Sequence, residues 1–259
     1  MKRLTTLLAI LTFTNMMAFA QKTYEMVVEM NDGSYSVFNT EKIKRTYFRE
    51  GSGKNNEGGI GDTSQAYLTC PDDHHPHLID LGLPSGTLWA CCNVGADKPE
   101  DYGGYYAWAE TETKSIYDWT TYQYSDSEGY CQNLGREIAG SQYDVAHVKW
   151  GGSWVMPSIE QIRELLYYCN YEWTTVNGVK GGKFSSKTNR GSIFMPAAGY
   201  PHYTGIGLSN AGMYAYYWSS SQFPLYIHQA YKLSFYPSGS AEGYEYRRCG
   251  YSVRPVYTR

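Results

Sequence analysis

Hydrophobic and polar positions recur with two different periods along this chain, and the change of period marks its elements. Between Tyr24 and Phe48, three short runs (24–30, 34–38 and 43–48) are rich in strand-forming residues. Asn31-Asp32-Gly33 separates the first two, and an Asp-Gly step between such runs predicts a β-hairpin. A two-stranded hairpin is too small to be stable alone, so it should dock on something or add a strand to a sheet. From Arg49 onward Gly, Ser, Asn and Glu replace the apolar pattern, which reads as a linker over 49–76.

The helical period appears once with a clear start. Ser158-Ile159-Glu160-Gln161 is a capping box just after Pro157, and Ile159, Ile162, Leu165, Leu166 and Cys169 follow at helical spacing. A shorter helix is expected over Ser141–Lys149, where Ser141 and Asp144 offer caps and Val145, Val148 and Trp150 line one side. The remaining apolar runs are short and divided by Gly, Asn and Pro. Strands are expected over 78–80, 87–92, 192–196, 213–220, 230–235 and 252–257. Two helices among irregular short strands predict an α+β domain with long loops rather than a repeating βαβ layout.

The first twenty residues stand apart from this pattern. Lys2 and Arg3 precede an apolar run, and Ala18-Phe19-Ala20 supplies the small residues of a cleavage site, so residues 1–20 read as a secretory signal peptide cut before Gln21. The apolar run is shorter than the ~20 residues that cross a bilayer, and no later run reaches that length. The expected mature protein is therefore exported and soluble, in the periplasm, at the cell surface or outside the cell.

Composition adds three constraints. The 259 residues carry 22 basic and 25 acidic side chains, a net charge of -3 that gives no field to gather nucleic acid. Six Cys, at 70, 91, 92, 131, 169 and 249, permit disulfides in an oxidising compartment, although buried thiols acting as small hydrophobes are the alternative. Tyr, at 27 residues, is as frequent as Gly, and twelve of the 27 fall between Tyr200 and Arg259, interleaved with Ser, Asn, His and Arg. Most of the seven Trp are expected to fill a core with few long helices, whereas Trp218 sits in a run suited to a surface.

Longer motifs carry a resemblance. Ile79–Ala96 reads Ile-Asp-Leu-Gly-Leu-Pro-Ser-Gly-x-x-Trp-Ala-x-Cys-Asn-Val-Gly-Ala and is followed by Pro99-Glu100-Asp101-Tyr102-Gly103, Tyr106-Ala107-Trp108 and Glu110-Thr111. Ala146-His147-Val148, Trp150-Gly151-Gly152 with Trp154, and Met156-Pro157 come next. Ile193 to Gly199, Tyr217-Trp218-Ser219-Ser220 and Gly250 to Val256 complete the series. Over about residues 77–257 these segments resemble the Fibrobacter succinogenes major paralogous domain, common in secreted Bacteroidota proteins and similar to the C-type lectin-like fold. With the leader (1–20), the hairpin module (21–48) and the linker (49–76) read from the residues, the resemblance implies a C-type lectin-like domain over 77–259. It also implies that the two ends of that domain meet in one sheet and that late strands and loops bind ligands.

The late segment suits such a role. Tyr gives a large amphipathic contact at low entropy cost, and Ser gives adaptable hydrogen bonding. Alternation along 231–236 separates Tyr231, Leu233 and Phe235, expected in the core, from Lys232, Ser234 and Tyr236, expected on a surface. The candidate ligand-binding residues are Tyr214, Tyr216, Trp218, Gln222, Phe223, Tyr226, His228, Tyr244, Tyr246 and Arg248. Sugars stack on such rings and hydrogen-bond to Arg and Gln, while Tyr, Trp and Arg also dominate protein hot spots, so a glycan and a protein are both chemically suitable partners.

Catalytic and metal chemistry finds little support. Asn210, Gln222, Glu242 and Glu245 do not form the ligand set of a calcium-dependent lectin. Asp72-Asp73-His74-His75-Pro76-His77 has metal-ligand residue types, but its setting is that of an exposed polar linker. Cys249 is the only Cys of the last ninety residues, which leaves a formylglycine-generating-like enzyme without a nearby second thiol. No Gly-x-Ser-x-Gly, P-loop or His-Glu-x-x-His motif occurs. The expectation is a non-catalytic binding or adhesion protein with no cofactor and no metal. The alternative is a structural or assembly subunit of a cell-envelope or fimbria-like structure, with the hairpin donating a strand to a neighbour.

Overall fold

The computed structural model describes residues 25–29, 35–39, 78–126, 130–202 and 205–257. The leader, the linker with its His-rich run, and the third apolar run at 43–48 lie outside the described residues. The chain divides into two compact units, Met1–Gly61 and Asp62–Arg259. In the first, β1 (Glu25–Glu29) pairs antiparallel with β2 (Tyr35–Asn39), with Glu29 opposite Tyr35, which forms the hairpin expected from the Asp-Gly step.

Among its described residues the second unit is α+β, with two helices and mostly antiparallel sheets. Helix α1 (Val145–Trp150) starts later than Ser141, because Asp144 is its N-cap. The buried Asp144 carboxylate accepts from the N–H groups of Ala146 and His147 at 2.9 and 3.1 Å, and also from Gly140 and Met156 at 2.9 and 3.0 Å. One side chain thus caps the helix and ties it to the strand that follows. Helix α2 (Ile159–Tyr168) has the capping box at Ser158 and Gln161 and buries Ile159, Ile162 and Leu165. Cys169 ends the helix and opens a strand instead of extending the helical face.

Four strands, β3 (Leu78–Asp80), β4 (Leu88–Ala90), β14 (Val256–Tyr257) and β5 (Trp154–Val155), form one sheet in that order. The last strand of the domain therefore lies between two early ones. A second sheet is β6 (Cys169–Val176), β7 (Val179–Ser186) and β8 (Ser192–Pro196). The β6–β7 turn is Asn177-Gly178 with φ of 49° and 83°, the positive values that an Asn-Gly hairpin turn requires. A third sheet is β11 (Ala215–Gln222), β12 (Gln229–Tyr236) and β13 (Gly239–Tyr246). The small pair β9 (Tyr200–Pro201) and β10 (Leu208–Ser209) leads into it.

The two largest clusters hold most of the buried apolar side chains. Leu81, Trp89, Ile162, Leu165, Phe184, Met195, Tyr217, Leu233 and Phe235 pack between α2 and the second and third sheets. Gly182 of β7 is required there, because a Cβ would lie 2.7 Å from the Tyr171 ring and 3.0 Å from Phe235. Tyr106, Trp108, Ile138, Val145, Met156, Trp218, Tyr251 and Val253 form the other cluster. Among the described residues no helix is long and apolar enough to cross a membrane.

Candidate functional site

The third sheet positions most of the candidate residues, and its register sorts them. Tyr217 faces Leu233, and Tyr231 faces Tyr244, so Tyr244 continues the face that carries Leu233 and Phe235 toward the outer edge of β13. Tyr216 faces Ser234 and Trp218 faces Lys232, which puts these on the opposite side. Ten residues expected on one contact face thus belong to two groups and an interior.

The first group surrounds the loop between β11 and β12. Phe223 stacks on Tyr244 with ring centroids 4.0 Å apart, meets Tyr231 edge-on at 5.2 Å and lies 6.1 Å from Tyr226. Tyr226 stacks on His228 at 5.6 Å, and His228 stacks on Tyr246 at 5.4 Å. Tyr246 meets Trp119 edge-on at 5.7 Å, and the Arg248 guanidinium lies 5.4 Å from both the Trp119 and Tyr246 rings. The result is a continuous ladder of rings ending in a cation. Tyr226 is 51% exposed and Tyr244 48%, and Leu225 and Ile227 of the same loop also face solvent. Side chains that stack on one another at a surface keep their orientation without a ligand, which lowers the entropy cost of binding.

The loop is held from below. Arg247 is fully buried; its Nε donates to the Tyr122 hydroxyl at 2.8 Å, and its Nη1 donates to the carbonyls of Gln132 and Ile227 at 2.9 and 3.1 Å. Its guanidinium also lies 4.5 Å over the Trp108 ring. Gln222, half-buried at the end of β11, donates its backbone N–H to the Arg136 carbonyl at 2.9 Å. The side-chain Oε1 atoms of Gln222 and Gln229 and the Nε of Arg248 are buried without a protein partner.

Tyr214 and Tyr216 form the second group, with Tyr200, Tyr236 and Tyr251. Tyr214 lies 5.5 Å from Tyr236, and Tyr216 stacks on Tyr251 at 5.1 Å. The expectation that Lys232 lies on a surface is corrected: it is buried, with its Nζ 4.8 Å from the Tyr216 ring. Burial lowers its basicity and the nearby Glu245 partly restores it. Trp218 is corrected as well. It is 0% exposed, its Nε1 donates to the Tyr106 carbonyl at 2.8 Å, and its ring lies 4.7 Å from Tyr251, so it is a core residue. The segment at Tyr251 runs alongside β11, bridged to it at Tyr217 and Ser252, and the Tyr106 and Tyr251 side chains join the cluster that buries Trp218.

Sequence reasoning missed Trp119, Tyr231 and Arg247 as parts of this region. Tyr231 had a readable signal, since it pairs with Tyr244 once β13 exists, and Tyr244-Glu245-Tyr246 alternates at the strand period. Trp119 comes from a loop more than a hundred residues earlier, and nothing local marks its approach.

Other chemistry is sparse. Among the described residues no group of three or more His, Cys, Asp or Glu is arranged to hold a metal ion. A shallow groove of about 590 Å³ runs between α2 and β13, but its Arg163 is already held by Glu160 and Glu242, each at 2.6 Å, so its central charges are spent on one another. Cys169 and Cys249 carry free thiols, and burial pushes each up to about 11 from an ordinary value of 9.0. Such raised values favour the neutral thiol in the fold. That stabilisation is full below the ordinary value and is lost as pH rises through about 11. Alkylation of these two thiols at neutral pH is expected to be about a hundredfold slower in the native protein than after unfolding, as mapped by mass spectrometry. Equal rates in the two states would contradict the shielding of the buried Cys169 and the half-buried Cys249.

The chain matches no protein-family model, no curated protein and no solved structure.

Proposed function

We propose that this chain is an exported, non-catalytic ligand-binding protein that uses the aromatic ladder of the late sheet to hold a glycan or a protein. The ladder itself carries this reading: partly exposed rings from Phe223 to Tyr246 stack in sequence, with Trp119 and Arg248 at one end. Flat stacking surfaces beside guanidinium and amide groups suit sugar rings, whose C–H faces are apolar and whose edges are polar.

A C-type lectin-like fold of the Fibrobacter succinogenes major paralogous type is part of the same proposal. The position of β14 between β4 and β5 supports it, because the two ends of the domain then share one sheet. The late location of the ladder supports it too. Export rests on the leader read in the sequence.

The test is binding of the secreted form, residues 21–259, to a glycan array with calcium and with chelator, beside a Tyr226→Ala, Tyr246→Ala variant. Binding should survive the chelator, and the double variant should lose roughly ten- to a hundredfold in affinity. Unchanged affinity in that variant would remove the ladder as the site, and a silent array would turn the search to protein ligands by pull-down.

A further inference from the structure

We infer that the ligand of the ladder is an anionic saccharide, a sugar bearing a carboxylate or a sulfate ester, whose acid group is taken by Arg248. This rests on the reading of the ladder as a binding site and names its ligand class.

The first observation is the state of Arg248. Its guanidinium lies beside the Trp119 and Tyr246 rings, its Nε has no partner, and none of the ion pairs among the described residues includes it. A guanidinium held by ring faces and outside every ion pair keeps its terminal N–H groups for an oxyanion.

The second observation is the charge beneath and beside it. Arg247 is buried under the same loop, and its hydrogen bonds go to a hydroxyl and two carbonyls rather than to a carboxylate. Arg136 is exposed on the segment whose carbonyl takes the Gln222 N–H. A buried positive charge without a counter-ion acts through a low-dielectric interior, so its field reaches the loop surface with little loss.

The carboxylates of this region are engaged elsewhere. Glu137 accepts from the Ser221 hydroxyl at 2.6 Å, and Glu110 pairs with Lys114 at 2.7 Å. Asp118, next to Trp119, accepts from Thr120 and Thr121 within its own turn at 2.8 and 3.0 Å. Asp126 accepts from the Tyr130 N–H at 2.9 Å. Glu245 points to the other side of β13 from Tyr246 and lies close enough to Lys232 to hold up its basicity. A protein of net charge -3 thus gathers three arginines at one end of one sheet, against a row of rings.

A neutral sugar would use the rings and leave this charge unanswered. An acidic peptide would answer the charge but would not need four successive flat rings. A sugar acid uses both.

The experiment measures retention of the exported chain on immobilised dextran sulfate, polygalacturonate and unmodified dextran at physiological ionic strength. Wild type, Arg248→Gln, Arg248→Lys and Tyr226→Ala are compared, each checked for an unchanged melting temperature. At least one acidic polymer should bind about tenfold or more tighter than dextran, and which one binds separates carboxylate from sulfate. Arg248→Gln and Tyr226→Ala should each weaken that binding at least about fivefold, with Arg248→Lys recovering part of the loss. Equal binding of dextran, lost in Tyr226→Ala and kept in Arg248→Gln, would overturn the acidic assignment and leave the ladder as a neutral-sugar site. Acidic binding indifferent to both variants, or no retention on any polymer, would also overturn it. In the latter case the glycan array and pull-down still decide whether the ladder binds anything.

Discussion

Arg254→Ala is expected to lower the unfolding free energy by about 3–5 kcal/mol in urea denaturation, a large part of what holds a domain of this size. The side chain is 0% exposed. Its Nε donates to the Asn93 Oδ1 at 2.8 Å, and its Nη1 donates to the carbonyls of Ala90 and Cys91 at 3.1 and 2.6 Å. These bonds join the segment before β14 to the end of β4, where the first sheet closes. Asn93 in turn donates to the Tyr217 hydroxyl at 3.2 Å, and Tyr217 donates to the Pro196 carbonyl at 2.8 Å, so one chain of polar contacts links all three sheets. Truncation removes three hydrogen bonds to buried acceptors, each worth about 1–3 kcal/mol, and opens a cavity. Release from burying a charge offsets part of this, which is why the sum does not reach its upper limit. Arg254→Lys should also destabilise, because an ammonium on a flexible stem does not reproduce the planar fork. A loss below about 1 kcal/mol for Arg254→Ala would show that this network contributes little.

Trp218→Ala should cost about 3–5 kcal/mol by the same measurement, chiefly through the cavity left by the indole, with the lost hydrogen bond to the Tyr106 carbonyl, which keeps the Tyr251 N–H, as a smaller part. Trp218→Phe keeps most of the ring volume and should cost about 1–2 kcal/mol. Tyr226→Ala, on the exposed part of the ladder, should change stability by about 0.5 kcal/mol or less. The contrast separates folding from binding: Trp218 variants lose ligand only as far as they unfold, while Tyr226 variants lose ligand with the fold intact. A stable Trp218→Ala protein with its melting temperature unchanged would contradict the core position.

Much of the architecture was legible where local chemistry decides local structure. The capping box at Ser158 set the start of α2, the Asp-Gly step set the hairpin, and the run 192–196 was read as the strand it forms. The Asn177-Gly178 turn was equally readable, and missing it lost β6 and β7, because Cys169–Val176 mixes polar residues with a single strong apolar face. Strands β5, β9 and β10 span two residues each, too short for any periodic signal, and exist because a neighbouring strand supplies their hydrogen bonds. Strand β13 is polar and Gly-containing, as an edge strand can be, and only its pairing with β12 identifies it.

The candidate site divides along the same line. Residue types sufficed to find the late Tyr-rich segment, and strand alternation sufficed to separate Leu233 and Phe235 from Lys232. Alternation tells which residues share a face but not what covers it. Side chains from other segments, Tyr106, Met156 and Tyr251 among them, bury Trp218, and the Tyr216 and Tyr251 rings lie against Lys232, which turns an expected surface into core. The reverse holds at the β11–β12 loop. There Trp119 arrives from a far loop and Arg247 pins the backbone from below, and rings that are ordinary strand and loop residues in sequence become one ordered surface. The sequence alone determined the hairpin, helix α2, the strand at 192–196 and the segment rich in binding chemistry, because these follow from contacts between near neighbours. Burial depends on which distant segments pack over each face, and that was decided only when the sheets assembled.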